Sequence, residues 1–110
     1  MAADVDRVDG VVRFGVVEID VPRRQVRCQG RAVAVEPKPF ELLLYFARHP
    51  DRVIRRAELM QALWPEVVVS EATLSSAVRR ARDVIGPERE RIEVVRKVGY
   101  RFLGAGLELS

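Results

Sequence analysis

The spacing of apolar and polar residues changes period along the chain, and each change marks an element. Val17, Ile19 and Val21 alternate with Glu18 and Asp20, the period of two expected of a half-buried strand. Pro22-Arg23-Arg24 reads as a turn, and Val26 and Cys28 then alternate with Arg27 and Gln29 in a second strand. Gln29-Gly30-Arg31 is another tight turn, followed by Ala32-Val33-Ala34-Val35. From Val11 onward this predicts three or four short strands in a small antiparallel meander. Pro37 and Pro39 end the sheet and open a helix from about Pro39 to Arg48, where Phe40, Leu43, Leu44 and Ala47 make one apolar stripe. His49-Pro50 stops it, because proline disfavours helix at the residue before it. A second helix, from about Arg56 to Leu63 or Trp64, buries Leu59, Met60 and Leu63.

The third helix has the cleanest pattern. Ser70 is its candidate N-cap, with Glu71 in the first turn where a negative charge suits the helix dipole. Leu74, Ala77, Val78, Ala81 and Ile85 form its buried stripe. The opposite face carries Ser76, Arg79 and Asp83, flanked by Thr73, Ser75, Arg80 and Arg82, and Gly86-Pro87 ends it. Ile92 to Val95 then reads as a strand, Arg96 to Gly99 as a turn, and Tyr100 to Leu103 as the returning strand of a β-hairpin with a basic tip. In this reading residues 1–10 are a flexible tail, 11–104 a single domain, and 105–110 a tail or the start of a linker. Gly99 is expected to supply a turn conformation, Tyr100 to pack the hairpin on the core, and Trp64 and Cys28 to lie in the interior.

Length agrees with one domain: the chain has 110 residues, and domains most often run to about 100–150. A hydrophobic fraction of 48% suits a packed chain. One His and one Cys are too few for a structural zinc site within the chain, and a lone cysteine forms no internal disulfide. Neither a paired-carboxylate pocket nor a phosphate-cradling glycine loop is present to suggest catalysis, so no enzyme, metal or cofactor is expected. No apolar run approaches the roughly 18–20 residues that span a bilayer, and the acidic N-terminus lacks a signal-peptide core. A cytoplasmic, nucleoid-associated location is the expectation. The net charge of +3 is modest, but its placement is not even. Residues 79–101 hold eight basic side chains against four acidic ones, on the third helix and the hairpin.

A small helix that is apolar inside and Ser/Arg-rich outside, third in a series and followed by a basic hairpin, suits a winged helix-turn-helix, an α+β fold. Such a helix fits the major groove, where arginine reaches guanine through two bonds and hydroxyls reach bases or phosphates. The hairpin would set Arg96 and Lys97 in the neighbouring minor groove or on phosphate.

The stretches Pro37-Lys-Pro-Phe-Glu-Leu-Leu43, Arg48-His-Pro-Asp-Arg-Val53, Ala57-Glu-Leu-Met-Gln-Ala-Leu-Trp64, Leu74 to Arg82 and Val94-Val-Arg-Lys-Val-Gly-Tyr-Arg-Phe102 carry a further signal. From about Val12 to Leu103 the chain resembles the effector domain of the OmpR/PhoB family of bacterial transcription regulators. The resemblance implies a four-stranded N-terminal sheet, three helices and a C-terminal hairpin wing. It implies a recognition helix over about Glu71 to Ile85, with DNA contacts from Thr73, Ser75, Ser76, Arg79, Arg80 and Arg82 and a minor-groove arginine at Arg96. It also implies binding to direct repeats as head-to-tail dimers, and contact with RNA polymerase through the loop Pro65, Glu66, Val67, Val68, Val69 and Ser70. Ala72, Ser75 and Ala77 stand where many members carry Arg, a carboxylate and a polar residue, so the resemblance implies the mode of binding and not the base sequence. The Glu36 to Leu43 and Trp64 to Leu74 segments look more like the CadC-like subgroup, in which this domain is N-terminal and no receiver domain precedes it. The alternative is a winged helix that docks on a protein, RNA polymerase or another regulator, through its valine loop; three arginines on one helix argue against it, since docking faces favour aromatic and apolar anchors.

Overall fold

The computed structural model describes residues 9–110; of the expected N-terminal tail, residues 1–8 lie outside the described residues. Strands β1 (Val11–Phe14), β2 (Val17–Asp20), β3 (Gln25–Cys28) and β4 (Arg31–Val33) form the antiparallel meander. Their alternation is functional in packing terms. Val12, Phe14, Val17, Ile19 and Val26 point inward and are fully buried, while Arg13, Glu18 and Arg27 stand in register across the outer face. Helix α1 (Pro37–Arg48) begins two residues before the sequence pattern suggested, because Pro37 itself occupies the first turn. Its cap at the far end is His49, whose ring lies 4.6 Å from that of Tyr45.

Strand β5 (Val53–Arg55) leads directly into α2 (Arg56–Leu63). Helix α3 (Glu71–Ile85) follows the loop, capped as expected by Ser70, whose Oγ accepts the Thr73 amide at 3.2 Å. A turn of 3₁₀ helix (Gly86–Arg91) leads to β6 (Ile92–Val95) and β7 (Gly99–Phe102). Buried Leu74, Ala77, Val78, Ala81, Val84 and Ile85 seat α3 on α1. Phe14 and Phe46 meet Phe102 at 5.1 and 6.0 Å between ring centres, so both sheets and α1 share one core.

Two strands were not legible as strands. β5 joins the hairpin in a three-stranded sheet of order β5-β7-β6. Within the segment 105–110, read from sequence as a tail, Glu108–Leu109 forms β8, which pairs with β1 and closes the first sheet in the order β4-β3-β2-β1-β8. The N-terminal sheet is therefore five-stranded, not four. Its C-terminal edge is held by Arg91, whose Nη1 donates to the carbonyls of Leu103 and Ala105 at 2.9 and 2.7 Å.

Candidate nucleic-acid interface

Helix α3 stands as a ridge between two grooves of about 540 Å³ each. One lies against the start of α1 and is lined by Lys38, Trp64, Thr73, Ser76 and Arg80. The other lies against the hairpin and is lined by Arg79, Arg82, Arg89, Ile92 and Glu93. The ridge exists because the apolar stripe is confined to one side of the helix. Burying that stripe leaves Thr73, Ser75, Arg79 and Arg80 exposed and Ser76 half-exposed on the other.

The arginines differ in how they are held. Arg79 has no hydrogen-bond or ion-pair partner among the described residues. Arg80 pairs across the first groove with Glu36, the N-cap residue of α1, at 2.7 Å while remaining half-exposed. Arg82 departs from the expected outward position. It is half-buried, and its Nε and Nη2 both donate to the Ile92 carbonyl at 3.1 and 2.6 Å. Arg91 is held within the fold. It pairs with Glu88 at 2.7 Å, caps two carbonyls and lies 5.4 Å over the Phe14 ring. Glu88 in turn accepts the Val16 amide, and the bond from Arg91 leads in holding its carboxyl below the ordinary range.

At the hairpin tip, Arg96, Lys97 and Val98 are exposed. Val98 N–H donates to the Val95 carbonyl at 3.0 Å, closing a four-residue turn whose third position, Lys97, has φ +67°. The tip thus holds two cations, without a partner among the described residues, on a closed turn. Gly99 is not the residue with positive φ. A Cβ there would sit 1.9 Å from the Ile54 carbonyl oxygen, so glycine is required by the close approach of β5, not by the turn. Tyr100 is buried, 5% exposed, and packs the hairpin on the core as expected. Trp64 and Cys28 are half-buried, at the rim of the interior.

The loop before α3 is the most exposed apolar feature. Val67 is 63% and Val68 fully solvent-exposed, whereas Val69 turns partly inward. Behind α2, Glu58 accepts both Arg52, at 3.0 and 2.8 Å, and the Tyr45 hydroxyl. Those two hydrogen bonds, Arg52 first, hold its carboxyl down at about 2. Burial, then the bond to Glu58, pushes the Tyr45 phenol up. The cluster lies on the α1–β5–α2 side and braces the helices on which α3 rests. Among the described residues no helix is long and apolar enough to cross a membrane, and no His/Cys/Asp/Glu group gathers to hold a metal ion.

Residues 30–102 match the family described as transcriptional regulatory protein, C terminal. The chain belongs to this OmpR/PhoB-type family. The transcriptional regulatory protein CseB of Streptomyces coelicolor is 36% identical over 94 residues, which are 84% of this chain and 39% of CseB. The chain spans about two fifths of the length of that relative. The DNA-binding domain of Escherichia coli CadC superposes with a TM-score of 0.80 at 26% identity, over 92% of this chain and 97% of that domain. The Klebsiella pneumoniae RstA DNA-binding domain, solved in complex with the RstA box, gives a TM-score of 0.72 at 28% identity, over 84% and 96%. The fold is accordingly the winged helix of these effector domains.

Proposed function

We propose that this domain is the sequence-specific double-stranded-DNA-binding part of a bacterial transcription regulator, with α3 in the major groove and the β6–β7 wing in the minor groove or on phosphate. The observation that carries the reading is the pairing of a protruding helix ridge with a separate cationic turn whose charges have no partner among the described residues. Thr73, Ser75, Ser76, Arg79 and Arg80 line the first, and Arg96 and Lys97 form the second. Base edges are read by short hydroxyls and by arginine forks, and a narrow groove attracts a cation presented on a thin turn. The small side chains of Ala72, Ser75 and Ser76 on the ridge let the helix approach closely. The family membership supports the same reading, as does the RstA domain's structure with its box. The work so assigned is cytoplasmic, on the nucleoid, and non-enzymatic.

Selection of bound duplexes from a random pool tests it. A direct repeat should emerge, with two copies bound head to tail. Arg79→Ala and Arg96→Ala should each weaken binding to the selected duplex by about tenfold, the lower part of the range for one well-placed arginine. No enrichment from the pool, or unchanged affinity in both variants at moderate salt, overturns the reading.

The exposed Val67 and Val68 favour a second contact of the same domain, with RNA polymerase through the loop Pro65 to Ser70. Apolar side chains held out on a short loop beside the DNA-facing helix suit a small protein surface more than a phosphate. Val68→Ser should leave duplex affinity unchanged and lower transcription in a purified system. Unchanged transcription refutes the polymerase contact, and lost duplex affinity shows that the loop serves DNA.

A further inference from the structure

We propose that Arg82 is a positioning residue. By clamping the Ile92 carbonyl it sets the angle of the wing to the recognition helix, and it acts on DNA through Arg96 without touching a phosphate itself. This deepens the DNA-binding reading and rests on it.

The wing's sheet has the order β5-β7-β6, so β6 is an outer edge. An edge strand leaves backbone groups without a neighbouring strand to pair with. Ile92 opens that strand and is itself buried, 1% exposed, so its side chain is anchored in the core while its carbonyl faces α3. Arg82 meets that carbonyl with two donors, at 3.1 and 2.6 Å. Two bonds from one rigid guanidinium plane to one oxygen fix direction as well as distance, which a single ammonium donor does not do. Ten residues separate the partners, so the clamp ties the recognition helix to the wing across the 3₁₀ turn, in addition to the buried core they share.

The lever is long enough to matter. From Ile92 to Arg96 the strand rises about 13 Å. A tilt of about 10° at the base therefore moves the tip by about 2 Å, more than a hydrogen bond tolerates. Turning Arg82 outward toward a phosphate would forfeit both bonds and leave the wing's base held by its buried side chains alone. A charge count along the helix sees three equivalent arginines. The structure separates one cation without a partner among the described residues (Arg79), one paired with Glu36 (Arg80) and one clamp (Arg82).

The test is a double-mutant cycle on the full chain with the duplex recovered by selection, over a series of salt concentrations, with circular dichroism to establish folding. Variants are Arg82→Ala, Arg82→Lys, Arg96→Ala and the Arg82→Ala/Arg96→Ala double; Arg82→Gln replaces Arg82→Ala if the latter unfolds. The expected result is that Arg96→Ala, costing about tenfold alone, costs less than about twofold when the clamp is already gone, and that Arg82→Lys behaves like Arg82→Ala. Independent, multiplying losses overturn the proposal. So does rescue of affinity and salt slope by Arg82→Lys, which is the signature of a plain phosphate contact. A lower melting temperature with the Arg96 cost unchanged also overturns it, since that marks a purely structural role. Failure of the unaltered chain to select any duplex is a different outcome and overturns the DNA-binding reading itself.

Discussion

Gly99→Ala should be among the most damaging single-methyl additions in this fold. Gly99 lies on the central strand of the second sheet, paired with Val95 on one side and Arg55 on the other. The added Cβ would stand 1.9 Å from the Ile54 carbonyl oxygen and 2.9 Å from the Arg55 Cα. Backbone on both counts cannot rotate away as a flexible side chain would, so β5 must retreat by more than about 1 Å to restore normal contact. Retreat breaks the pairing over Val53, Ile54 and Arg55 and unseats Ile54, which is fully buried. Overpacking of this kind costs about 1–3 kcal/mol, and each lost backbone bond about 1 more; about 3–4 kcal/mol in total follows, a large part of a total stability near 5–15. Urea unfolding followed by circular dichroism measures it. Gly30→Ala is the control: Gly30 has φ +79° with open space around it, so alanine there meets only the left-handed backbone penalty of about 1–2 kcal/mol. Equal midpoints for the two variants would refute the steric argument. A Gly99→Ala chain that stays folded should also bind duplex weakly, because β7 carries half of the wing.

Three other perturbations follow from the same geometry. Glu58→Gln should destabilise the chain by about 1 kcal/mol at neutral pH, the shift to about 2 being heavily discounted for a carboxylate about a third exposed. Because the folded carboxyl is held below its ordinary 4.5, its contribution is complete above about that pH. It fades as pH falls toward about 2, so the gap between variant and parent in urea midpoint should close across that window; a gap that widens there contradicts the assignment. Ser70→Ala removes the α3 cap and should cost about 1 kcal/mol in the same unfolding assay, with no change at all counting against the cap. Arg91→Ala should cost about 2–4 kcal/mol through its carbonyl bonds and the abandoned Glu88, while the salt slope of duplex binding stays put; a slope reduced by about one unit would place Arg91 on phosphate instead.

The helices and the meander were readable because their residues obey one period over many positions. α3 repeats its apolar stripe through four turns and is framed by Ser70 and Gly86, and its observed ends match the expected ones. β5 and β8 escaped for a physical reason. Val53–Arg55 and Glu108–Leu109 are only three and two residues long, and alternation cannot be recognised over so few. Their pairing is set by partners far off in sequence, Gly99 to Arg101 for one and Val12 and Arg13 for the other. Gly99 shows the same limit from another side. Glycine beside a turn suggests a positive φ, but here the need for it arises from a strand more than forty positions earlier, and no local pattern carries that information.

The candidate site was legible in its location and not in its wiring. Sequence places the basic residues on one helix face and one turn, since 3.6-residue periodicity and hairpin spacing determine which positions share a surface. It does not show what each guanidinium touches. Arg79, Arg80 and Arg82 look alike as charges, yet Arg80 reaches Glu36 forty-four positions away and Arg82 reaches the Ile92 backbone. Arg96 and Lys97 lie on a turn too small to offer them a partner and have none among the described residues. Position on the fold therefore sorts cations that composition pools. Arg79 on the ridge and Arg96 and Lys97 on the tip have no partner among the described residues, Arg80 is paired with Glu36, and Arg82 and Arg91 are engaged with backbone carbonyls at the base of the wing and beside the closing strand. A variant series that scored every arginine only by lost charge would miss this division. One that reads affinity, salt slope and stability together would separate the two kinds, because only the free cations should move the slope without moving the fold.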